Sequence, residues 1–497
     1  MRTHRQIDRV LDECRRFENL RVAAFRGKGE LCLNWRVRRL ANYTAINSKC
    51  DELRRSGSCP YYRAEGVGED RCYDPLRSRG GSCPYYESIR TIESRRFHVI
   101  VLSYPYLLDP ELRERLGKLL QDGNLSLIVD EAHNLRKQWL MGHLKTFSLD
   151  LLRRYLTNGC WRWRCILSSF MRSGLDSLEL PEGYALRATI ECEMDEGQSW
   201  EGRAILSSIR DEIRKSSRLI LRRGDLIFVR EPEEDLEHLL AQYRSSALIS
   251  GTWGGVRVSG EFSGRARYFE IPVGAWGDVK VIIVNDFTTR FEERNRSEYY
   301  RLAIVLADLS TRVTGNLGIF TASYDVLEGL LDVGLEHLMP KPLFVEDRDM
   351  GASENLEMIE RFKGLSNTGA VLLAVQGGRS SEGEDFPGAE MTASVVVGLQ
   401  LPKPDILEDL QRILWRRFSN VKNPNWLYAC RAAVQAAARP VRSPEDTGFI
   451  VFADRRFTRC ESMMPSWMRA RLSSASLEEL PELASEFFNG RTHLLHR

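Results

Sequence analysis

The sequence has 497 residues, of which 43% are hydrophobic and 28% are charged, a balance typical of a globular chain with roughly two to four domains. No apolar run approaches the roughly eighteen residues of a membrane helix, and polar residues follow Met1, so the composition argues against a membrane protein and against secretion. The net charge is only +2, but residues 1–100 carry 21 Lys and Arg against 13 Asp and Glu, which suits either a polyanionic partner or a solvated basic face.

The chain opens with the segment RTHRQI, which contains Arg2, Thr3 and His4. No strand precedes this segment. A helix is predicted to follow, because apolar residues recur at helical spacing: Ile7, Val10, Leu11, Cys14.

Residues 29–95 are rich in cysteine, arginine and tyrosine and lack a regular apolar period. Five cysteines lie in this segment: Cys32, Cys50, Cys59, Cys72, Cys83. A segment too polar to fold around its own core predicts a metal-based cross-link. Zinc sites usually use closely spaced cysteine pairs, which are absent, whereas widely spaced thiolates can hold an iron–sulfur cluster, and composition alone leaves both metals open. Eleven cysteines in all are an odd number for a disulfide framework and favour an intracellular chain with a cofactor.

The stretch LSLIVDEAHNL, residues 125–135, predicts a short buried strand that ends in Asp130 and Glu131. Open α/β sheets bind their ligands at the carboxyl ends of parallel strands. One carboxylate there can hold Mg²⁺ while the next polarises an attacking water, although a bare acidic pair more often marks a solvated turn at a strand end. The tetrapeptide DEAH after an apolar strand is more specific, because it resembles motif II of helicase-type ATPases.

The hundred residues after Asn134 predict a mainly helical region with two apolar stripes: Leu144, Phe147, Leu151, Tyr155, and then Ile205, Ile209, Ile213. Residues 219–229 predict a hairpin that turns at Gly224 and Asp225. Strands then alternate with helices from residue 247, which indicates parallel α/β structure, including a second α/β domain.

Taken in order, the segments RTHRQI, the cysteine-rich stretch, DEAHN, SGT at 250–252, Ser323-Tyr324, GGRSSEGEDFPG at 377–388 and QAAARPVR at 435–442 resemble the helicase motifs Ia to VI. The whole chain resembles the XPD-type branch of superfamily two DNA helicases, the iron–sulfur helicases that include the DinG group. The resemblance implies an α/β fold of two RecA-like motor domains, with an iron–sulfur insertion and a mainly helical arch insertion in the first. It places the first motor domain at 1–28, 96–140 and 244–285, the iron–sulfur module at 29–95, the arch-like insertion at 141–243, and the second motor domain at 286–497.

The resemblance also implies roles for individual residues in ATP hydrolysis. Asp130 would hold the Mg²⁺ of Mg-ATP, and Glu131 would activate the hydrolytic water. His133 and Thr252 would link the nucleotide state to the DNA path. Residues of the second motor domain would approach the nucleotide: Gln435, Arg439, Arg442, Gly383, Asp385. An arginine suits this position because its planar group can grip two phosphate oxygens.

The cluster and the DNA contacts are implied in the same way. The four positions that match the ligands of a 4Fe-4S cluster are Cys32, Cys50, Cys59 and Cys83, which leaves Cys72 as a spare. Arg2, Thr3 and His4 would contact DNA phosphates. The tyrosine pairs Tyr61-Tyr62 and Tyr85-Tyr86 would either stack on unpaired bases or pack around the cluster.

The sequence departs from the family pattern, because no G-x-x-x-x-G-K-[ST] motif occurs in it and Ala438 replaces the usual glycine of motif VI. Three hypotheses follow: a 5′-to-3′ DNA helicase whose sequence starts at an internal methionine, an ATPase-dead relative that binds single-stranded DNA, and a redox-responsive iron–sulfur interaction protein. The expected partners are ATP, single-stranded DNA and DNA junctions, with no membrane. We expect a monomer or a subunit of a repair complex, located in the cytoplasm with the nucleoid, or in the nucleus of a eukaryote.

Overall fold

The computed structural model describes residues 4–492 except for positions 39, 41–42, 63–69, 78–81, 95–96, 121–124, 233, 254–261, 263–265, 270, 272–276, 379, 381–384, 403–405, 420 and 422. The chain divides into two units, Met1–Ile249 (unit 1) and Ser250–Arg497 (unit 2). Over the described residues, no helix has the length and apolar character needed to cross a membrane.

Unit 1 combines short strands with helices of four to sixteen residues. Its helices are α1 His4–Cys14, α2 Lys28–Leu31, α3 Trp35–Arg38, α4 Tyr43–Arg55, α5 Pro84–Ser94, α6 Pro105–Leu108, α7 Pro110–Leu120, α8 Leu135–Gly142, α9 Leu149–Arg154, α10 Trp161–Ser173, α11 Glu182–Glu193, α12 Trp200–Lys215 and α13 Leu236–Ala241. Its strands are β1 Val22–Ala24, β2 Cys72–Tyr73, β3 Val99–Val101, β4 Ser126–Val129, β5 Leu144–Ser148, β6 Ser177–Glu179, β7 Arg218–Arg222, β8 Asp225–Val229 and β9 Ser245–Leu248.

Among the described residues of unit 1, two of the three sheets are parallel, as the sequence predicted for the DEAH strand. Strands β2, β1 and β3 form one sheet in that order, and β4 pairs with β9 in another. The predicted helix at the start of the chain is confirmed as α1, and Ile7 and Leu11 on it are buried against β1.

The third sheet of unit 1 lies within residues 141–243 and is antiparallel, in the order β5-β8-β7-β6. The predicted hairpin is confirmed as β7 and β8, and the stripe of Ile205, Ile209 and Ile213 is buried on α12. The predicted helical stripe that starts at Leu144 is wrong, because Leu144–Ser148 is strand β5, which pairs with β8. Residues 141–243 also contact the cysteine-rich segment, because Lys49 Nζ on α4 lies 4.5 Å from the ring centroid of Trp200 on α12.

Unit 2 contains one seven-stranded parallel sheet in the order β12-β13-β11-β14-β15-β10-β16. Its strands are β10 Asp278–Val284, β11 Leu317–Thr321, β12 Leu343–Val345, β13 Val371–Val375, β14 Ala393–Val397, β15 Thr447–Ala453 and β16 Leu472–Ala475. Its helices are α14 Arg296–Arg312, α15 Tyr324–Asp332, α16 Leu335–Leu338, α17 Ala352–Gly364, α18 Ile406–Phe418, α19 Pro424–Ala437, α20 Ser466–Arg469 and α21 Leu480–Thr492.

Strand β10 shows how both faces of this sheet are buried. Ile282 and Val284 point into one hydrophobic cluster, while Val281 and Ile283 point into the cluster on the opposite face. Helices cover both faces, which is the arrangement of a RecA-like domain and explains the continuous apolar run VIIV. The sequence placed residues 281–284 in the first motor domain, whereas β10 pairs with β15 and β16 of unit 2.

The structure contains two disulfides, one in each unit. Cys160 is bonded to Cys192 in unit 1, and Cys430 is bonded to Cys460 in unit 2. All four cysteines are buried. The odd number of cysteines favoured a cofactor over a disulfide framework, so these two pairs were not predicted from the sequence.

A buried ion pair joins the cysteine-rich segment to the residues that follow β1 and to α1. The side chain of Arg26 is fully buried, and its Nε donates to Asp74 Oδ1 at 3.1 Å. The same guanidinium group pairs with Asp8 on α1 and, at 3.4 Å, with Glu30 on α2. Because Asp74 is only 3% exposed, its carboxylate depends on Arg26 for charge compensation.

We expect Arg26→Met to lower the free energy of unfolding of unit 1 by about 3–5 kcal/mol, because it leaves the buried Asp74 carboxylate without its main partner. Urea unfolding followed by circular dichroism measures the change. Arg15→Met is the matched control: the Arg15–Asp12 pair is exposed, so its loss should cost under about 1 kcal/mol. Equal losses for the two variants would contradict this role of Arg26.

Candidate functional site

The DEAH segment follows directly from β4, whose carboxyl end is beside that of β9. Asp130 and Glu131 leave the strand, and residues Ala132–Asn134 form a single 3-10 turn before α8. The Ala132 amide donates to the carbonyl of Ile249 at 2.9 Å, which ties the turn to the end of β9. The sequence therefore placed the carboxylates correctly at the carboxyl end of a parallel strand. The predicted burial of that strand is wrong, because Ile128 is 69% exposed and only Val129 of β4 is buried.

Glu131 has a left-handed backbone, with φ 50° and ψ 38°, and it is the one non-glycine residue with positive φ among the described residues. This conformation costs an ordinary residue roughly 1–2 kcal/mol, so surrounding contacts must hold it. The Glu131 carboxylate is 3.2 Å from Nδ1 of the buried His133. The other ring nitrogen, Nε2, is 2.8 Å from the side-chain nitrogen Nδ2 of Asn134. DEAHN thus forms a chain of polar contacts that orients Glu131.

Asp130 is half-buried, and burial together with the neighbouring Glu131 raises the pKa of its carboxyl group. Two carboxyl groups crowded in this way favour a divalent cation, which compensates both charges. Oxygen ligands are also those that Mg²⁺ prefers in proteins. The carboxyl group of Asp130 is therefore compatible with the Mg²⁺ role that the resemblance implies for it, and this role stays a prediction.

Motif III lies at the start of unit 2. The Thr252 amide donates to Ser250 Oγ at 3.1 Å, and Thr252 is buried. This contact fixes the SGT turn locally. The proposed role of Thr252 in coupling to DNA remains a prediction.

Motif VI follows α19, which carries the partly buried Gln435. Arg439 is buried, whereas the side chain of Arg442 is 43% exposed. Arg442 Nε lies 3.7 Å from Asp385 Oδ1, so the structure brings together two residues that the sequence assigned to motifs V and VI. Gly383 lies outside the described residues.

The loop after α19 is held by Asp446, which the sequence analysis did not single out. Its Oδ2 accepts hydrogen bonds from the amides of Arg442 at 2.7 Å and Ser443 at 2.6 Å. Asp446 follows Pro444 and Glu445 in a short turn, and an aspartate that binds nearby amides is typical of such turns. Asp446 therefore fixes the backbone from which Arg442 projects.

Four cysteines of the cysteine-rich segment line one cavity: Cys32, Cys50, Cys59, Cys83. They come from the end of α2, from α4, from the turn after α4 and from the start of α5. Tyr61, Tyr62 and Tyr86 line the same cavity, while Tyr85 packs against Phe25 with ring centroids 6.1 Å apart. Cys72 is elsewhere, because it packs with Cys14 and Val22 beside α1. The structure separates the spare cysteine from the other four.

Burial dominates the electrostatics of this cavity. It raises the pKa of the Cys32 thiol to about 11, and the nearby Cys50, Cys83 and Cys59 add to the rise. Burial also raises the pKa of Cys83, although the Tyr86 and Tyr85 amides at the start of α5 donate to its sulfur and oppose the rise. The ammonium group of Lys28 acts in the same opposing direction on the pKa of Cys50 and of Cys83.

In the part of the chain that the structure describes, no group of three or more His, Cys, Asp or Glu side chains is arranged to hold a single metal ion. The four thiols share a cavity but do not form a compact one-ion site. Of the predicted DNA contacts, Arg2 and Thr3 lie outside the described residues. His4 begins α1, but its side chain is not described.

Comparison with known proteins identifies two family models in the chain. The DEAD_2 model matches residues 1–149, and the helicase C-terminal domain model matches residues 306–471. The yeast (Saccharomyces cerevisiae) general transcription and DNA repair factor IIH helicase subunit XPD/RAD3 is 30% identical over 212 residues, which are 40% of this chain and 27% of that protein. The cattle (Bos taurus) regulator of telomere elongation helicase 1 is 31% identical over 204 residues, 37% of this chain and 16% of that protein. The chain thus spans less than a third of the length of these relatives.

Solved structures show the same fold. The match to an XPD helicase structure has a TM-score of 0.64 at 18% sequence identity. It covers 96% of this chain and 90% of the chain in that structure. The structure of S. tokodaii Xpd4 has a TM-score of 0.56 at 16% identity, with 94% and 93% coverage. The two family models, these helicase relatives and the shared fold agree with the order of motifs along the sequence. The chain belongs to the XPD-type branch of the superfamily two helicases.

Proposed function

We propose that the chain is an ATP-dependent DNA helicase that moves 5′-to-3′ on single-stranded DNA, carries a 4Fe-4S cluster and acts in DNA repair. The observation that carries the proposal is that unit 1 holds both the DEAH turn and a cavity lined by four cysteines. Asp130 would bind Mg²⁺ and Glu131 would accept the proton of the attacking water. Arg442 and Arg439 would stabilise the charge that develops on the transferred phosphoryl group.

The residues of the cysteine cavity fit a cubane cluster. Such a cluster separates its four thiolate ligands more widely than a single metal ion does, which suits four thiols spread around one cavity. The amides of Tyr85 and Tyr86 already point at Cys83, and hydrogen bonds to sulfur are a common feature of iron–sulfur sites. Lys28 would offset the negative charge of bound thiolates. When bound, the cluster would supply a cross-link for α2, α4 and α5 and a redox-active group.

A second candidate function is binding of single-stranded DNA without ATP hydrolysis. It follows from the departure of motif VI from the family pattern, in which Ala438 replaces the usual glycine beside Arg439. Both functions use the basic N-terminal hundred residues for DNA, so DNA binding does not distinguish them.

The test compares ATP hydrolysis and strand separation by the 497-residue chain on partial duplexes with a 5′ or a 3′ single-stranded overhang. The helicase proposal expects hydrolysis stimulated by single-stranded DNA and unwinding of the 5′-overhang substrate only. Tight DNA binding without hydrolysis would favour the second candidate. Unwinding from the 3′ overhang would refute the proposed direction.

The partners follow from the same proposal. Single-stranded DNA and DNA junctions are the proposed substrates, together with ATP. The name of the yeast relative refers to transcription and DNA repair, and we extend the repair role to this chain, either as a monomer or as a subunit of a repair complex. The proposed location is the one where the genomic DNA lies, namely the nucleoid or, in a eukaryote, the nucleus.

A further inference from the structure

Tyr104 lies three residues beyond the end of β3 and immediately before α6. It is 4% exposed, so its hydroxyl group must find its partners inside the protein. Tyr104 Oη is 2.5 Å from the carbonyl oxygen of Asp130 and 3.0 Å from that of Glu131. A tyrosine hydroxyl has one proton to donate, so the two carbonyls share it, with the shorter contact to Asp130.

These two carbonyls flank the residue that has the left-handed backbone. A positive φ at Glu131 turns consecutive carbonyls towards the same side of the chain, where one donor can reach both. Ordinary residues adopt this conformation only where surrounding groups impose it. The hydrogen bond from the Tyr104 hydroxyl therefore stabilises the left-handed backbone conformation of Glu131 in the DEAH turn.

We propose that Tyr104 is a positioning residue for the catalytic carboxylates: its hydroxyl holds the carbonyls of Asp130 and Glu131 and thereby fixes the left-handed turn that directs the Glu131 side chain towards His133. The role of Tyr104 in hydrolysis rests on the proposed function, whereas its hold on the turn does not. Tyr104 needs no contact with nucleotide or water, because it acts through the backbone of the residues that make those contacts.

Different parts of the Tyr104 side chain pack in the core and hold the turn, so the two roles can be tested separately. The aromatic ring fills buried space, and phenylalanine would fill the same space. The hydroxyl group is the part that reaches the turn. Tyr104→Phe therefore removes the positioning contact and leaves the packing in place.

The experiment measures two properties of Tyr104→Phe in the full chain. Hydrogen exchange of peptides covering residues 130–136 reports on the turn, which contains the amides of Ala132 and Asn134. We expect exchange there to become about tenfold faster, as for loss of a buried hydrogen bond. We also expect kcat for DNA-stimulated ATP hydrolysis to fall about tenfold, with KM for ATP within twofold and DNA affinity unchanged.

Tyr73→Phe is the matched control, because Tyr73 is also buried in unit 1 and its hydroxyl lies 3.4 Å from Glu87, away from the turn. It should change neither the exchange of residues 130–136 nor kcat. Unchanged exchange in Tyr104→Phe, or an equal change in Tyr73→Phe, would overturn the proposal. So would a rise in KM in place of a fall in kcat. If the wild-type chain does not hydrolyse ATP, the proposed function fails, and the exchange measurement alone decides whether Tyr104 holds the turn.

Discussion

The Cys50→Ser variant is expected to lose essentially all bound iron and the absorbance near 400 nm that an iron–sulfur protein shows. Cys50 projects from α4 into the cavity that Cys32, Cys59 and Cys83 also line. A serine hydroxyl is a much poorer ligand for iron than a thiolate, and a cubane cluster uses all four ligands. Iron and sulfide analysis of the purified chain, with its visible spectrum, measures the loss.

Cys72→Ser is the matched control for this prediction. Cys72 belongs to the same cysteine-rich segment and is partly buried like Cys50, but it packs beside Cys14 and Val22 and away from the cavity. Its replacement should leave iron content and absorbance unchanged. A colourless wild-type protein that contains zinc would refute the cluster, and loss of colour in Cys72→Ser would refute this choice of ligands.

Loss of the cluster should also loosen the segment that it cross-links. In the described part of this segment, the hydrophobic cluster next to the cavity consists of Cys32, Val37, Ile46 and Leu53, and all of these except Ile46 also line the cavity. Such a core is too small to stabilise the 67 residues of segment 29–95 alone. We therefore expect proteolysis of Cys50→Ser to begin within residues 29–95 while unit 2 stays intact.

The sequence predicted those features that depend on local pattern. The continuous apolar run of Val281, Ile282, Ile283 and Val284 predicted a strand, and the abrupt end of an apolar run at Asp130 predicted the end of a strand. Neither pattern tells which sheet a strand joins, because pairing depends on residues far away in the chain. This is why β10 was assigned to the first motor domain although it pairs with β15, about 170 residues later.

The error at Leu144–Ser148 has a different physical cause. Leu144 and Phe147 are three residues apart, a spacing that fits a helix, but the segment pairs with β8 some eighty residues later. Tertiary pairing overrides such a weak local period. The contact of Tyr104 with the DEAH turn was not predicted from the sequence for a similar reason. Tyr104 lies 26 residues before Asp130, and only the fold brings its hydroxyl to the turn.

The grouping of Cys32, Cys50, Cys59 and Cys83 was predicted only in part from local pattern. Their spacing left zinc and iron–sulfur open, and the resemblance to a family selected which four belong together. The structure gathers the same four around one cavity and leaves Cys72 outside, so the choice of residues is supported independently of the resemblance. The identity of the metal stays a prediction.

Replacing Glu131 with glutamine is expected to lower kcat for DNA-stimulated ATP hydrolysis by about 100-fold or more, the range typical of a lost general base. Glutamine has nearly the same size as glutamate and can keep the contact with His133, but it cannot accept a proton from water. ATP affinity and DNA affinity should therefore change little, since Asp130 and the basic residues remain. Steady-state ATPase kinetics and DNA binding by fluorescence anisotropy measure both effects.

The control for this variant is Glu114→Gln on α7, which removes an equally negative carboxylate whose exposed partner is Lys118. It should leave kcat unchanged, because an exposed ion pair away from the turn contributes little. A fall in kcat of less than tenfold in Glu131→Gln would show that Glu131 is not the base.

Since Tyr104→Phe leaves the Glu131 carboxylate in place and disturbs only its direction, it should reduce kcat less than Glu131→Gln does. In the double variant the loss should equal that of Glu131→Gln alone, because a side chain that cannot accept the proton gains nothing from being well aimed.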